Sequence, residues 1–144
     1  IRRGVHANTA FGIAFALEIE PSLPLVWGDS AHLEQVFVNL ISNAMDACLV
    51  SRDRACTIVV RLREEKGTIV LEVEDTGCGM DAEIKEKVFT SFFTTKGLGG
   101  TGLGLLVTKK IVREHGGRIE VESEPDEGSC FRIEIPRNEL TKGV

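Results

Sequence analysis

The sequence predicts an α+β fold: a two-layer sandwich with a mixed, mostly antiparallel sheet covered on one face by helices. Three observations lead there. Apolar residues recur at helical spacing from Leu33 to Cys48, two pairs of alternating segments are each joined by a short turn, and a second helix lies between those pairs.

Taken in order, Ala14 to Glu20 alternates and reads as a strand, and Pro21-Ser22-Leu23-Pro24 turns into a second short strand, Leu25 to Trp27. Asp29 or Ser30 offers an N-cap for the next element. From Leu33 the apolar residues fall at Val36, Phe37, Leu40, Ile41, Ala44 and Cys48, steps of three and four that predict an amphipathic helix ending near Val50. Ser51 to Arg54 is a polar loop. Thr57 to Arg63 and Thr68 to Asp75 alternate on either side of Glu65-Lys66-Gly67, which predicts an antiparallel hairpin. A Gly-rich turn over Thr76 to Gly79 leads to a short helix around Ala82 to Val88. Phe89 to Thr101 reads as loop, since Gly97, Gly99 and Gly100 discourage regular structure. Leu103 to His115 is a helix stopped by Gly116-Gly117. Ile119, Val121 and Ser123, then Phe131, Ile133 and Ile135, alternate about the Pro125 to Gly128 turn, giving a terminal hairpin closed by Pro136.

The 144 residues suit one domain, burying roughly 70% of the surface its unfolded chain exposes. With 17 Lys and Arg against 22 Asp and Glu the formal charge is −5, and no basic face is evident, which argues against nucleic acid as a partner. A polyanion can still bind through backbone amides or a metal ion. No apolar run is long enough to span a bilayer and no secretory signal is visible. The chain begins at Ile1 without Met and reads as part of a longer protein, whose membrane attachment stays open. Cys48, Cys56, Cys78 and Cys130 form no C-x-x-C pair and read as small apolar residues in a reduced, cytoplasmic setting. His6, His32 and His115 have no metal-ligand spacing.

Three segments go beyond what folding alone asks for. Asn39 and Asn43 lie four apart on one helix face, continuing a row from Gln35, although Asn is a poor helix former. A carboxamide oxygen is a neutral hard ligand that suits Mg²⁺; the alternative is a solvated helix face. Asp75-Thr76-Gly77-Cys78-Gly79 ends a strand, and parity places Asp75 with Ile69, Leu71 and Val73 on the core side. An inward carboxylate needs a donor, and an exocyclic amino group such as adenine N6 would serve. Gly77 and Gly79 would let backbone and ligand approach closely; the alternative is an ordinary turn with Asp75 exposed. Gly100-Thr101-Gly102-Leu103-Gly104-Leu105 opens a helix whose free N–H groups and positive dipole end suit an anion without net basic charge.

The run from Leu33 to Ala44 resembles the N box of sensor histidine kinases, and Asp75-Thr76-Gly77-Cys78-Gly79-Met80 their G1 box. Val88-Phe89-Thr90-Ser91-Phe92-Phe93-Thr94-Thr95-Lys96 is similar to the F box and Gly100 to Leu105 to the G2 box, while Gly116-Gly117, Gly128 to Phe131 and Pro136 resemble the closing strands. The resemblance, from about Phe15 to Pro136, is to the catalytic and ATP-binding domain of two-component kinases, within the superfamily of gyrase, mismatch-repair and chaperone ATPases. It implies a nitrogen-regulation-like kinase with a short ATP lid over Phe93 to Thr101. It implies ATP and Mg²⁺ as cofactors, with Asn43 on the metal and Asn39 beside the phosphates. Asp75 would accept from adenine N6, and Ser129 would reach adenine through water. Gly102, Leu103, Gly104 and Leu105 would donate amides to phosphate, with Gly77, Gly79, Met80 and Thr101 completing the nucleotide contacts. Asn39 and Lys96 would carry the catalytic roles; the alternative for Lys96 is a solvated loop lysine.

Superfamily ATPases carry Glu where this chain has Asn39, which disfavours hydrolysis and favours direct phosphoryl transfer. Many kinases carry Lys where this chain has Asp46, so either Asp46 turns to solvent or Lys96 carries more of the charge. None of the three histidines has the acceptor pattern of the family. The resemblance therefore implies residues 1–12 as the end of a linker from an absent dimerisation domain, 13–138 as the catalytic domain and 139–144 as a tail. The implied partners are that histidine-bearing domain of the same polypeptide and a downstream response regulator, with a dimeric parent and a monomeric isolated domain. Two alternatives stay open: a nucleotide-responsive interaction module without chemistry, and a true ATPase.

Overall fold

The computed structural model describes residues 2–8, 12–21, 23, 30–51, 55–90 and 103–137. Their strands are β1 (Arg2–Asn8), β2 (Ile13–Ile19), β3 (Cys56–Glu65), β4 (Thr68–Asp75), β5 (Arg118–Glu124) and β6 (Gly128–Pro136). The helices are α1 (Ser30–Val50), α2 (Ala82–Lys87) and α3 (Leu103–Glu114). The strands form one sheet in the order β1-β2-β3-β4-β6-β5. Only β2 and β3 pair in parallel. Their connection is the one that contains α1, because parallel neighbours need a crossover rather than a hairpin.

Alternation sorts the strands into two faces. Ile58 and Val60 of β3, Leu71 and Val73 of β4, and Phe131, Ile133 and Ile135 of β6 join Val36, Leu40, Ala44 and Cys48 of α1 and Leu105, Ile111 and Val112 of α3 in one buried cluster. Those α1 positions are the helical-period residues of the sequence, so the amphipathic stripe is what seats the helix on the sheet. The opposite face is charged and cross-linked. Arg61 of β3 reaches Glu74 at 2.8 Å and Glu18 at 3.2 Å, Arg63 pairs with Glu72, and Arg132 and Arg118 each meet Glu134 at 2.7 Å. Such a sheet, apolar towards helices and polar outward, is the two-layer arrangement that alternation in the sequence predicts.

Two findings differ from the sequence reading. Residues 1–12 were expected as the end of a linker, yet β1 pairs antiparallel with β2 along its whole length, from Arg2 opposite Ile19 to Asn8 opposite Ile13. Cys48 and Cys56, expected as reduced apolar side chains, are joined by a disulfide. The end of α1 and the start of β3 are held together in the core, with the two cysteines 4% and 2% exposed, a proximity that a spacing of eight residues does not announce. Cys78 and Cys130 take no part in that disulfide; burial, with Glu72 and Glu74 nearby, pushes the Cys130 thiol up to about 11, far from a reactive thiolate. Finally, the strand expected at Leu25 to Trp27 and the tail at 139–144 lie outside the described residues.

Leu40 is fully buried where α1 meets the sheet. Leu40→Ala should lower the unfolding free energy by about 2–5 kcal/mol, the usual range for a buried leucine, as read from urea denaturation.

Candidate functional site

The site is built where the core-facing row of the sheet turns polar. Asp75 is the last residue of β4, in register with Ile58 on one side and Ser129 on the other, and Ser129 faces Ser123 of β5. The side chains stay inside the fold: Asp75 is 3% exposed, Ser123 and Ser129 7% each. The sequence placed Asp75 inward by parity, and the alternative of an exposed turn is excluded.

A buried carboxylate must find donors. The Gly77 amide donates to Asp75 Oδ1 at 2.9 Å. Burial nevertheless dominates, pushing the Asp75 carboxyl up to about 6, against the pull of the Gly77 and Ser129 amides and with a smaller push from Glu74. The folded protein thus holds a carboxylate its own groups satisfy incompletely.

The glycines after it have a reason the sequence reading did not find. A Cβ on Gly77 would stand 2.6 Å from the Ala47 backbone of α1, and one on Gly79 would stand 1.9 Å from the Glu124 carbonyl, in a backbone with φ of +65°. These glycines were expected to admit a ligand, but in the described residues it is the protein's own backbone that approaches. The loop is pinned further by the Cys78 amide on Ala47 O, the Asp126 amide on Cys78 O and the Met80 amide on Ser123 Oγ. Met80, expected among the nucleotide contacts, packs into the buried cluster. Asp81 then caps α2, its Oδ1 accepting from the Ile84 amide at 2.8 Å.

Along α1 the predicted row is present. Gln35 Nε2 donates to Asn39 Oδ1 at 2.8 Å, and Asn39 Nδ2 donates to Gly104 O at 3.0 Å and Thr108 Oγ1 at 3.2 Å. Asn39 was expected beside phosphates; its carboxamide ties α1 to the first turn of α3. That explains an amide here: a carboxylate could not donate to the Gly104 carbonyl. Asn43, one turn on, is half-buried and makes no side-chain hydrogen bond to any described residue. Asp46 is half-buried too, and its carboxyl lies above the usual carboxylate range because of desolvation. Among the described residues no three or more His, Cys, Asp or Glu side chains are grouped to hold a metal ion.

Helix α3 begins at Leu103, as expected, so the first amides of this helix have no intrahelical partner. Gly104 supplies its carbonyl to Asn39 and Thr108, and Leu105 is buried in the core. Lys96, Thr101 and Gly102 lie outside the described residues, as does the expected lid. At the near edge, Phe89 meets Phe131 edge-on at 6.1 Å, with Lys109 Nζ 5.6 Å from the Phe89 ring centre. Sequence reasoning missed Ser123 and Thr108. Both carried a signal: Ser123 falls on the inward parity of Ile119 and Val121, and Thr108 on the inward face set by Leu105 and Val112.

The model of the family described as histidine kinase-, DNA gyrase B- and HSP90-like ATPase matches residues 28–139. The chain belongs to this family. It is 42% identical over 124 residues to the C4-dicarboxylate transport sensor protein DctB of Rhizobium meliloti, covering 86% of this chain and 19% of that protein. It is 34% identical over 147 residues to the sensory histidine kinase/phosphatase NtrB of Azospirillum brasilense, covering 94% of this chain and 36% of NtrB. The chain therefore spans about a third or less of the length of these curated relatives. Among solved structures, the catalytic domain of histidine kinase ThkA superposes with a TM-score of 0.75 at 34% identity, over 89% of this chain and 81% of that one. ThkA in complex with response regulator protein TrrA gives 0.72 at 29% identity, over 90% and 36%. The fold is that of histidine-kinase catalytic domains, an ATPase family that implies ATP binding. No helix among the described residues is long and apolar enough to cross a membrane.

The raised Asp75 value has a sign that can be measured. Between pH 3.8 and about 6 the unfolded chain gives up this proton while the folded domain keeps it, so unfolding releases a proton and stability falls as pH rises. The ligand-free domain should lose on the order of 3 kcal/mol across that window from this group. Asp75→Asn should flatten the profile and be the more stable form at pH 7, as read by denaturation at a series of pH values.

Proposed function

We propose that this domain binds Mg-ATP and donates its γ-phosphoryl group to a histidine on a separate dimerisation domain of the same polypeptide, from which an aspartate of a response regulator receives it. Asp75 carries the reading: an incompletely satisfied carboxylate, enclosed at the end of a central strand, is a receptor for a donor such as the adenine amino group. The amide of Gly77 holds it in place, and Ser129 beside it extends the polar edge. The first amides of α3, with Thr101 and Gly102 before them and Lys96 in the lid, receive the phosphates. Asn43, whose carboxamide no described residue engages, fits an Mg²⁺ ion and would be its protein ligand. That ion would neutralise charge on the phosphate chain as it transfers.

Asn39 supports transfer rather than hydrolysis. Its carboxamide bonds the α1–α3 junction and offers no base to activate water. The bond from the γ-phosphorus to the bridging oxygen breaks, ADP leaves with that oxygen, and an imidazole nitrogen of the acceptor takes the phosphoryl group. The domain's part is to place and screen the reacting groups. The solved complex of ThkA with TrrA supports a response regulator as the downstream partner.

Supplying the isolated acceptor domain with γ-labelled ATP and this chain should label the acceptor. ATP binding without transfer under any pairing would favour the interaction-module reading, for which the half-buried Asp46 in place of a lysine is the motive. Asp75→Asn should weaken ATP binding by on the order of a hundredfold, the scale of a lost hydrogen bond to a charged acceptor, in calorimetric titration.

A further inference from the structure

Ile58, Asp75, Ser129 and Ser123 stand side by side on four neighbouring strands, in direct register across β3, β4, β6 and β5. Beyond Ile58 the row is polar, and its far member makes the most bonds. Ser123 Oγ lies 2.8 Å from the Met80 amide, 3.0 Å from the Gly128 carbonyl and 2.7 Å from Ser129 Oγ. A hydroxyl has one proton and two lone pairs. The Met80 amide can only donate, so it occupies one lone pair. The Gly128 carbonyl can only accept, so it takes the proton. What remains towards Ser129 is a lone pair, and Ser129 must be the donor in that contact. Its single proton is then committed to Ser123, and it turns only lone pairs towards anything else. Asp75, once ionised, also offers only lone pairs.

We propose that Ser123 is a positioning and specificity-determining residue: by fixing the direction of the Ser129 hydroxyl, it makes the polar edge acceptor-only, selecting a 6-amino purine over a 6-oxo purine. The inference rests on the nucleotide reading above and adds the device that tells one purine from another. A 6-amino group donates to such an edge. A 6-oxo group meets it acceptor to acceptor; the neighbouring N1–H of that base can still donate to the edge, but the repulsion at the 6-position costs affinity relative to a 6-amino group. Without Ser123 the Ser129 proton is released and can turn to a 6-oxo oxygen.

The test is the ratio of affinities for ATP and inosine triphosphate, measured by calorimetry on this chain and its variants. The unmodified protein should prefer ATP. Ser123→Ala should lower the ATP-to-inosine-triphosphate ratio about tenfold, the worth of one reoriented hydrogen bond, while Ser123→Thr, which keeps the hydroxyl, should restore it. A purely structural role would weaken both nucleotides alike and leave the ratio unchanged, which would overturn the proposal. If Ser123→Ala does not fold, Ser129→Ala decides: it should lower the ratio similarly, and an unchanged ratio is again fatal. Equal affinity of the unmodified protein for both nucleotides would instead remove the adenine reading itself, and this inference with it.

Discussion

A carboxylate at the inward-facing end of β4 is the constraint around which the rest of the site is arranged. Asp75 shares its face with Val73 and Leu71, and burial outweighs the backbone amides that reach it. Isolated desolvation of this kind is tolerated only where the surroundings are fixed, because any relaxation would let the side chain turn to water. The neighbouring backbone is accordingly packed at distances that admit no side chain. A Cβ on Gly128 would lie 2.0 Å from the Asp75 carbonyl, just as Gly77 is pressed on α1 and Gly79 on β5.

That rigidity is shared by the two helices. Asn39 links α1 to the first turn of α3, and Thr108 Oγ1 donates to the same Gly104 carbonyl at 2.7 Å. The start of α3, with its unpaired amides, is thereby held against the helix that carries Asn43. At the other end of α1, the Cys48–Cys56 disulfide and the Cys78 amide on Ala47 O fasten the helix to β3 and to the loop after Asp75. One helix thus sets the spacing between the two parts of the site.

The layers were legible in the sequence because two periodicities, 3.6 and 2, are strong over Leu33 to Cys48 and across both hairpins. The inward setting of Asp75 followed from the same parity. What stayed hidden depends on contacts between distant segments. The pairing of Arg2–Asn8 with β2 adds an edge to the sheet that no periodic pattern in those residues marked. Cys48 and Cys56 meet only because α1 returns to the start of β3. Gly77 and Gly79 were legible as necessary glycines, but only the fold shows that Ala47 and Glu124 are backbones they accommodate. Asn39 was found by its low helix propensity, while its partners, Gly104 and Thr108, lie more than sixty residues away.

Electrostatics then decide how a polyanion can lie on an acidic chain. The outer face is not a sink for phosphate, because its arginines are already engaged: Arg61 by Glu18 and Glu74, Arg63 by Glu65 and Glu72, Arg132 by Glu134. Asp75 also borders an open hollow lined by Glu74, Glu122, Glu124 and Glu127, an acidic setting unfavourable to anions. In the opposite direction stand the first amides of α3 and the uncharged carboxamides of Asn39 and Asn43 on α1. Desolvation raises the pKa of Asp46 above its ordinary value. A net charge of −5 is compatible with a triphosphate ligand because carboxylates of the outer face are paired with arginines and the glutamates of the hollow are gathered at one end of the sheet.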